Sequence, residues 1–214
     1  MADIFKEVDE ELRRDNAAKL WKKYGRSIVG FCIAVVLAVA AFQAWKAYDL
    51  NRRGERSDQF AEALDLAAAG DTGAALSSLG ELSDSRGGGY PGLAAFEAAR
   101  LRSQSGDVDG AIVIWDRMAG DTALGPGFQN LAAILSILHQ FDDGDPEILA
   151  QRLERLAAEG QAFRASVLEL QALLALRQGD RTRARELYTL IADDLGAPGA
   201  LHARAAQMLQ AIGE

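Results

Sequence analysis

The chain has few of the residues that hold disulfide-rich or metal-bound modules together. Its 214 residues include one cysteine, Cys32, and two histidines, His139 and His202. A single cysteine cannot form an intramolecular disulfide, and two histidines supply few ligands for zinc. With only four prolines and 7% aromatic residues, the composition favours helices over strands. It therefore argues against disulfide scaffolds, zinc modules and all-β sandwiches.

Lysine is missing after residue 46. Residues 1–46 hold eight Lys/Arg against six acids, a net charge of +2, whereas the remaining 168 residues hold 15 Arg, no Lys and 25 Asp/Glu, a net charge of −10. An acidic body repels phosphate backbones, and this one contains no local basic patch. The sequence therefore predicts no nucleic-acid partner for the large C-terminal part.

An uncharged run marks the same boundary. Residues 27–45, SIVGFCIAVVLAVAAFQAW, extend roughly 28 Å as a helix, close to the thickness of a bilayer core. Aromatic residues suited to the membrane interface lie at the two ends of the run, Trp21 and Tyr24 at one and Trp45 and Tyr48 at the other. Ala38-Val39-Ala40 fits the cleavage pattern of a signal peptide, but the preceding segment holds six acids, unlike a short basic n-region. We therefore expect a transmembrane helix over 27–45.

Basic residues predict the orientation of this helix. Six Lys/Arg lie within 15–20 residues before the run and four lie within that distance after it. This bias favours a single span with a cytoplasmic N-terminus and a C-terminal domain outside the cytoplasm. In a Gram-negative bacterium that compartment is the periplasm, and we expect a single-pass inner-membrane protein. Residues 1–26 form the cytoplasmic tail, which has an amphipathic stripe at Ile4, Phe5, Val8 and Leu12. The tail is either an interfacial helix, which we favour, or a docking handle for a cytoplasmic partner.

The large C-terminal part repeats a Gly-Asp dipeptide at intervals of 36, 38 and 35 residues. Each copy lies between two apolar-periodic segments. Glycine can take the left-handed conformation after a first helix, and aspartate can cap a second helix. The pattern predicts four helix-turn-helix hairpins, whose turn residues are Gly70-Asp71, Gly106-Asp107, Gly144-Asp145 and Gly179-Asp180.

The residues around these turns also align, and they predict the packing faces of the hairpins. Small residues recur seven positions before the glycine and five positions after it, where two helices of a hairpin approach closely. Large residues recur nine positions after it. The predicted packing residues are Ala63, Ala75, Ala99, Ala111, Trp115, Leu149, Leu153, Ala172, Ala184 and Tyr188.

A hairpin with small residues around a turn, repeated near 34 residues, resembles the tetratricopeptide repeat over residues 57–195. The early aromatic and Leu-Gly pair of that family are absent, and the third copy has Leu149 in place of Ala and a longer turn. The predicted fold is all-α: an N-terminal transmembrane helix, a linker or helix extension over 46–56, and a periplasmic solenoid domain over 57–214. About four degenerate hairpins and a capping helix near 199–212 make up that domain.

No arrangement of residues indicates catalysis. His139 lies on an apolar helix, where we expect a packed or half-exposed residue, and His202 lies in the terminal helix without a local carboxylate partner. The acidic run 142–147 lacks the residue order of an EF-hand, and Gly87-Gly88-Gly89 lacks the Lys-Ser/Thr that follows a phosphate-binding loop. Cys32 lies inside the apolar run, where a thiolate is disfavoured. We predict no enzyme activity and no catalytic, metal-binding or cofactor-binding residues.

Stacked helical hairpins present a concave surface that suits protein partners. The opening MADIFKEVDEELRRDNAAKLWKKYG, one span near residue 30 and a degenerate repeat domain together resemble the YfgM-type ancillary subunits of the Sec translocon. This resemblance implies, as partners, the SecYEG channel and a membrane-anchored periplasmic chaperone of the peptidyl-prolyl isomerase type. We expect no small-molecule substrate. Two alternatives stay open: a coordinator of cell-envelope or cell-division complexes, and an enzyme or ligand-binding module built around a histidine.

Overall fold

The structure, a computed structural model, describes residues 2–85, 89–158, 160 and 162–213, without the side chains of residues 2–21, 23, 25–28 and 32. The predicted stripe at Ile4, Phe5, Val8 and Leu12, the Cys32 thiol and Gly87-Gly88 therefore lie outside the described part. Within that part every regular element is an α-helix, which confirms the predicted all-α class. The helices are α1 (Ala2–Ala68), α2 (Thr72–Ser83), α3 (Tyr90–Gln104), α4 (Val108–Gly120), α5 (Pro126–His139), α6 (Pro146–Leu156), α7 (Arg164–Arg177), α8 (Arg181–Asp193) and α9 (Gly199–Gly213).

Helix α1 is continuous where the sequence suggests a tail, a span, an extension and the start of the repeats. Gly54 does not interrupt it, although glycine lowers helix propensity. By its contacts the chain divides into two units, Met1–Glu55 and Arg56–Glu214, so the boundary falls within α1. In the first unit the apolar side chains from Val29 onward are exposed to solvent.

This part of α1 is long and apolar enough to cross a membrane. The candidate segment is Val29–Ala68, whose most apolar window has a mean hydropathy of 1.9 and no buried residue. A helix that exposes apolar side chains on all faces is unfavourable in water. Lipid removes this penalty because its acyl chains replace water around those side chains.

The second unit is a succession of antiparallel helical hairpins. Its core consists of four clusters, and each cluster joins three helices: α1 with α2 and α3, α3 with α4 and α5, α5 with α6 and α7, and α7 with α8 and α9. Each of α3, α5 and α7 thus contributes to two clusters. Helix α9 covers the last hairpin through Leu201, Ala205 and Ile212, as a capping helix does.

Three of the four turns share one geometry. Gly70, Gly106 and Gly179 have φ of +86°, +91° and +82°, the left-handed region that favours glycine after a helix. The aspartate that follows each glycine caps the next helix. Asp71, Asp107 and Asp180 accept hydrogen bonds from the backbone N–H of Ala74, Gly110 and Arg183, at 3.1, 3.0 and 2.9 Å.

The third turn differs from this pattern. Six residues separate α5 from α6, against three in the other hairpins. Gly144 is not left-handed, and a Cβ at that position would lie 2.5 Å from the carbonyl oxygen of Gln140. Asp145 still caps its helix, accepting from Glu147 N at 2.8 Å. The expected left-handed glycine is therefore wrong for Gly144, because the longer loop reverses the chain differently and needs glycine for space.

Polar side chains hold this irregular hairpin to its neighbours. Ser136 on α5 has no exposed surface, and its Oγ donates to Asp116 Oδ1 on α4 at 2.5 Å. Arg152 on α6 donates through Nη2 to the same Asp116 oxygen at 2.5 Å and to Ser136 Oγ at 3.1 Å. Arg177 on α7 donates to the loop carbonyls of Phe141 and Gly144. Side chains thus join α4, α5, α6 and α7 where the turn is longest.

Candidate protein-binding groove

The ten predicted packing residues lie in the interior of the hairpins. Each is at most 2% exposed, whether small, as Ala63, or large, as Tyr188. They belong to all four core clusters. These residues therefore form the framework of the domain. Only Trp115 among them also lines the groove described next.

An apolar groove of about 610 Å³ lies along the first three odd-numbered helices of the repeat unit. Helices α1, α3 and α5 supply all of its lining except Trp115, which comes from α4. We call it the aromatic groove, and its lining residues are Phe60, Leu93, Phe96, Glu97, Arg100, Ser103, Gln104, Trp115, Phe128, Leu131, Leu135 and His139. Leu93 and Phe128 are exposed within it, so its surface is available to an apolar partner.

Two aromatic pairs join the helices that line the groove, and three of their four rings, all except Tyr90, belong to its lining. The ring of Phe60 on α1 contacts Tyr90 on α3, with centroids 6.0 Å apart, and the ring of Phe96 on α3 contacts Phe128 on α5, with centroids 5.8 Å apart. The two pairs occupy the same repeat positions, because Phe60 and Phe96 each precede a turn glycine by ten residues. Tyr90 and Phe128 precede the turn glycines of their own hairpins, Gly106 and Gly144, by 16 residues each. Tilted aromatic pairs thus join successive odd-numbered helices along the groove.

Trp115 and His139 meet in the groove. Their ring centroids are 4.4 Å apart, with the planes inclined at 40°. His139 Nδ1 lies 2.9 Å from the carbonyl oxygen of Leu135, which can only accept, so Nδ1 carries the proton. Trp115 is 2% exposed, and its buried Nε1 has no hydrogen-bond acceptor among the described residues. A buried donor without an acceptor is unfavourable, so this N–H lowers the free energy that the burial of the indole contributes to folding.

One side of the groove carries charges that neutralise each other. Arg100 donates from Nε to Glu97 Oε2 at 2.8 Å and from Nη1 to Gln104 Oε1 at 2.5 Å. The hydrogen bond to Glu97 raises the pKa of Arg100 above its usual value. This ion pair leaves the groove lining without net charge. The electrostatic potential around the groove therefore depends on the charged residues elsewhere in the unit.

The negative charge of the repeat unit is concentrated in the half that holds the groove. Residues 56–145 contain 14 Asp/Glu and five Arg, a net charge of −9. Residues 146–214 contain nine Asp/Glu and eight Arg, a net charge of −1. An apolar groove thus lies in a strongly acidic half-domain, which attracts cationic partners.

The other residues considered for chemistry occupy structural positions. His202 is a half-buried residue of α9. Asp145 in the acidic run 142–147 is the cap of α6. Among the described residues no three His, Cys, Asp or Glu side chains are grouped so that they could hold a metal ion.

The aromatic groove is the feature that the sequence reasoning missed. Its signal was present in the spacing of Phe60, Phe96, Tyr90 and Phe128 from the turn glycines. Alignment of the second helix of each hairpin emphasised buried positions instead. The groove is lined mainly by the first helices of the hairpins, and only two of the four copies carry the phenylalanine at this position. The corresponding residues of the third and fourth copies are Ile134 and Glu169.

Comparison with known proteins agrees with the helical hairpins. A family model described as a tetratricopeptide repeat-like domain matches residues 18–212. The matched range is wider than the repeats recognised in the sequence, and it includes the apolar run 27–45. No curated protein and no solved structure matches the chain.

Proposed function

The chain belongs to the tetratricopeptide repeat-like family, and from this membership we propose that it is a membrane-anchored scaffold that binds protein partners through the aromatic groove. Domains of this kind generally bind other proteins and carry no catalytic centre. The observation that carries the proposal is the groove itself, an apolar surface whose lining includes the exposed side chains of Leu93 and Phe128. The proposed function is binding without catalysis.

Helix α1 supports the anchor in this proposal. Its apolar segment suits one membrane crossing, and the excess of Lys/Arg before residue 27 favours a cytoplasmic N-terminus. The repeat domain is then periplasmic. An anchor confines the groove to the membrane surface and raises its effective concentration toward partners located there.

The partners we propose are the SecYEG translocon and a membrane-anchored periplasmic chaperone. The support is the likeness of the opening segment, the single span and the degenerate repeats to the YfgM-type subunits. In this role the scaffold assists envelope proteins as they emerge from the channel. An apolar groove near the membrane suits unfolded chains, because they expose the apolar residues that folding later buries.

Photo-crosslinking in native membranes tests this proposal. A photoreactive amino acid is placed at Phe128, in the groove, and in a matched variant at Leu190, which is 48% exposed on α8 and lies outside the groove lining. We expect translocon subunits or the chaperone among the products at Phe128 and not at Leu190. If the crosslinked partners are only peptidoglycan-synthesis or division proteins, the translocon role is wrong and the protein coordinates envelope complexes instead. Equal products at both positions would contradict the assignment of the groove.

A further inference from the structure

We infer that the repeat unit contacts the lipid surface through two apolar side chains, Phe163 and Leu195. Both lie in loops that lead into an odd-numbered helix: Phe163 between α6 and α7, and Leu195 between α8 and α9. We call the edge of the unit that carries these loops the loop edge. The inference goes beyond the groove, and it rests on the membrane anchor of the proposed function.

Leu195 lies at the apex of a tight turn and is 98% exposed. Asp194 closes this turn, because its Oδ1 accepts from Gly196 N and its carbonyl oxygen accepts from Ala197 N, both at 2.9 Å. Ala197 is the residue of this turn that packs against the core cluster of α7, α8 and α9. The turn therefore holds the leucine outward, where it adds nothing to the packing of that cluster.

The loop between α4 and α5 has the same turn with the opposite choice of residues. Asp121 accepts from Ala123 N through Oδ1 at 2.9 Å and from Leu124 N through its carbonyl oxygen at 3.1 Å. Here the leucine takes the inward position, packed against the cluster of α3, α4 and α5, and Thr122 takes the apex. One exposed leucine is ordinary on a protein surface. The comparison shows, however, that this turn does not require an exposed leucine at position 195.

Phe163 is exposed in a strained backbone conformation. Its φ of +67° is left-handed, and among the described residues it is the only one other than glycine with a positive φ. A bulky side chain is unfavourable there. The side chain is nevertheless 44% exposed, so burial does not repay the strain. Such strain is concentrated at sites that have a function.

Lipid is within reach of the loop edge. The odd-numbered helices run in one direction, and Phe60 on α1 contacts Tyr90, the first residue of α3. The chain therefore enters the unit at this edge, at Arg56. Arg56 follows Trp45, the last residue of the predicted span, by 11 residues, so the connection extends at most roughly 40 Å. The anchor thus raises the effective concentration of lipid at the loops.

The charges beside Leu195 indicate the kind of lipid surface. Asp193 and Asp194 precede the leucine, and residues 193–199 contain no Lys or Arg. An anionic surface attracts basic segments and repels acidic ones. The contact is therefore insertion of apolar side chains among uncharged headgroups, as in other interfacial segments that bury Leu and Phe.

The test places the full-length Cys32→Ser protein in phosphatidylcholine nanodiscs, which also shows whether the chain is anchored. A bimane fluorophore is attached to Ala200→Cys, exposed in the first turn of α9, or to Thr182→Cys, exposed in the first turn of α8 at the opposite edge. Neither substitution removes a large apolar side chain. Phosphatidylcholine that carries a nitroxide close to its headgroup quenches a fluorophore at the lipid surface.

We expect the quencher to reduce the fluorescence at Ala200→Cys at least roughly twofold more than at Thr182→Cys. Leu195→Thr copies the apex residue of the α4–α5 loop, and Phe163→Gly suits the left-handed backbone. Together they should remove the difference without lowering the urea midpoint of the detergent-solubilised protein. Val113→Thr, at a residue 68% exposed in the middle of α4, is the control and should leave the difference unchanged.

The outcomes separate the inference from the proposed function. If the chain does not enter the nanodiscs, the anchor and the inference both fail. If it enters and the two labels are quenched equally, or if the difference survives Leu195→Thr with Phe163→Gly, the inference alone is overturned and groove binding stands. A lower urea midpoint for that double variant also overturns it, since the side chains would then stabilise the fold. Stronger quenching after addition of phosphatidylglycerol overturns it as well, because charge would then cause the contact.

Discussion

Asp116 on α4 accepts a hydrogen bond of 2.5 Å from the hydroxyl of Ser136 on α5, which has no exposed surface. Arg152 donates to the same carboxylate oxygen from α6, and Gln140 donates to the Ser136 hydroxyl at 2.8 Å. Three helices therefore meet around one buried hydroxyl. The network lies in the hairpin whose turn departs from the others, where polar contacts supplement the apolar packing.

Asp116→Ala should destabilise the repeat unit by about 1–3 kcal/mol, because it leaves the Ser136 hydroxyl buried with fewer partners and Arg152 without its carboxylate. Urea denaturation of the detergent-solubilised protein, followed by circular dichroism, measures the change. Glu186→Ala is the matched control, since it removes the exposed ion pair with Arg183 and should cost less than about 1 kcal/mol. Equal losses in both variants would show that the network adds no stability.

Ala111→Leu should destabilise the protein by roughly 1–3 kcal/mol. Ala111 on α4 is fully buried against α3, and a larger side chain has no space there. Ala203→Leu on the exposed surface of α9 is the control and should leave the unfolding midpoint nearly unchanged. Both variants are measured in the same denaturation series. An unchanged midpoint for Ala111→Leu would contradict the register of the second hairpin.

Gly144→Ala should be destabilising although its backbone is not left-handed. The added Cβ would lie 2.5 Å from the Gln140 carbonyl oxygen and 3.3 Å from Leu149 Cδ1, so the loop must move. Gly80→Ala places a Cβ in open space within α2 and should stabilise the helix by up to about 1 kcal/mol. Opposite shifts of the two thermal midpoints are expected. A stabilising Gly144→Ala would contradict the close approach of the Gln140 carbonyl oxygen in the third turn.

Asp107 should make stability depend on acidic pH. Its hydrogen bond with Arg102, and then that from Gly110 N, lowers the pKa of the Asp107 carboxyl in the folded protein. The ionised carboxylate therefore stabilises the fold above the unfolded pKa near about 4, and this stabilisation disappears as pH falls through the lower folded pKa. Asp107→Asn keeps a capping oxygen but removes the charge.

The difference in thermal midpoint between the wild type and Asp107→Asn should be constant from about pH 7 to pH 5 and should shrink below about pH 4. Arg102→Gln should remove most of that pH-dependent difference, because it removes the main cause of the pKa shift. A difference that grows on acidification would have the wrong sign for this explanation.

The proposed topology is checked by labelling cysteines from outside the inner membrane. In a Cys32→Ser background, Gln207→Cys on the exposed surface of α9 should react with a membrane-impermeant maleimide, whereas Asp9→Cys should react only after the cells are lysed. Gln207 neither caps a helix nor lies in the core, so this substitution should not disturb the fold. The reverse pattern would invert the orientation.

The sequence predicted the hairpins well because their signals are local. Asp71, Asp107 and Asp180 each cap a helix by accepting a hydrogen bond from the backbone three residues later. The left-handed conformation of the glycines before them depends only on local backbone geometry. The family match and the all-α structure confirm the tetratricopeptide-like architecture at this level.

Features that depend on contacts distant in sequence escaped prediction. Arg152 and Asp116 are 36 residues apart, and no spacing rule pairs them. Gly144 was expected to follow its equivalents, but its surroundings depend on how six loop residues pack against α6 and α7. The Trp115 position was predicted as a packing residue, yet its missing acceptor is visible only when every neighbour of the indole is known.

The sharing of α3, α5 and α7 between successive core clusters means that no hairpin is thermodynamically independent. Loss of α9 would first uncover the cluster around Tyr188 and Ile191, and each later step would remove one side of the next shared helix. Amide exchange should therefore proceed inward from the end of the solenoid. A partner bound between α3 and α5 would slow this unfolding once it reaches α5. Slower amide exchange in a helix that does not line the groove would therefore report that the groove is occupied.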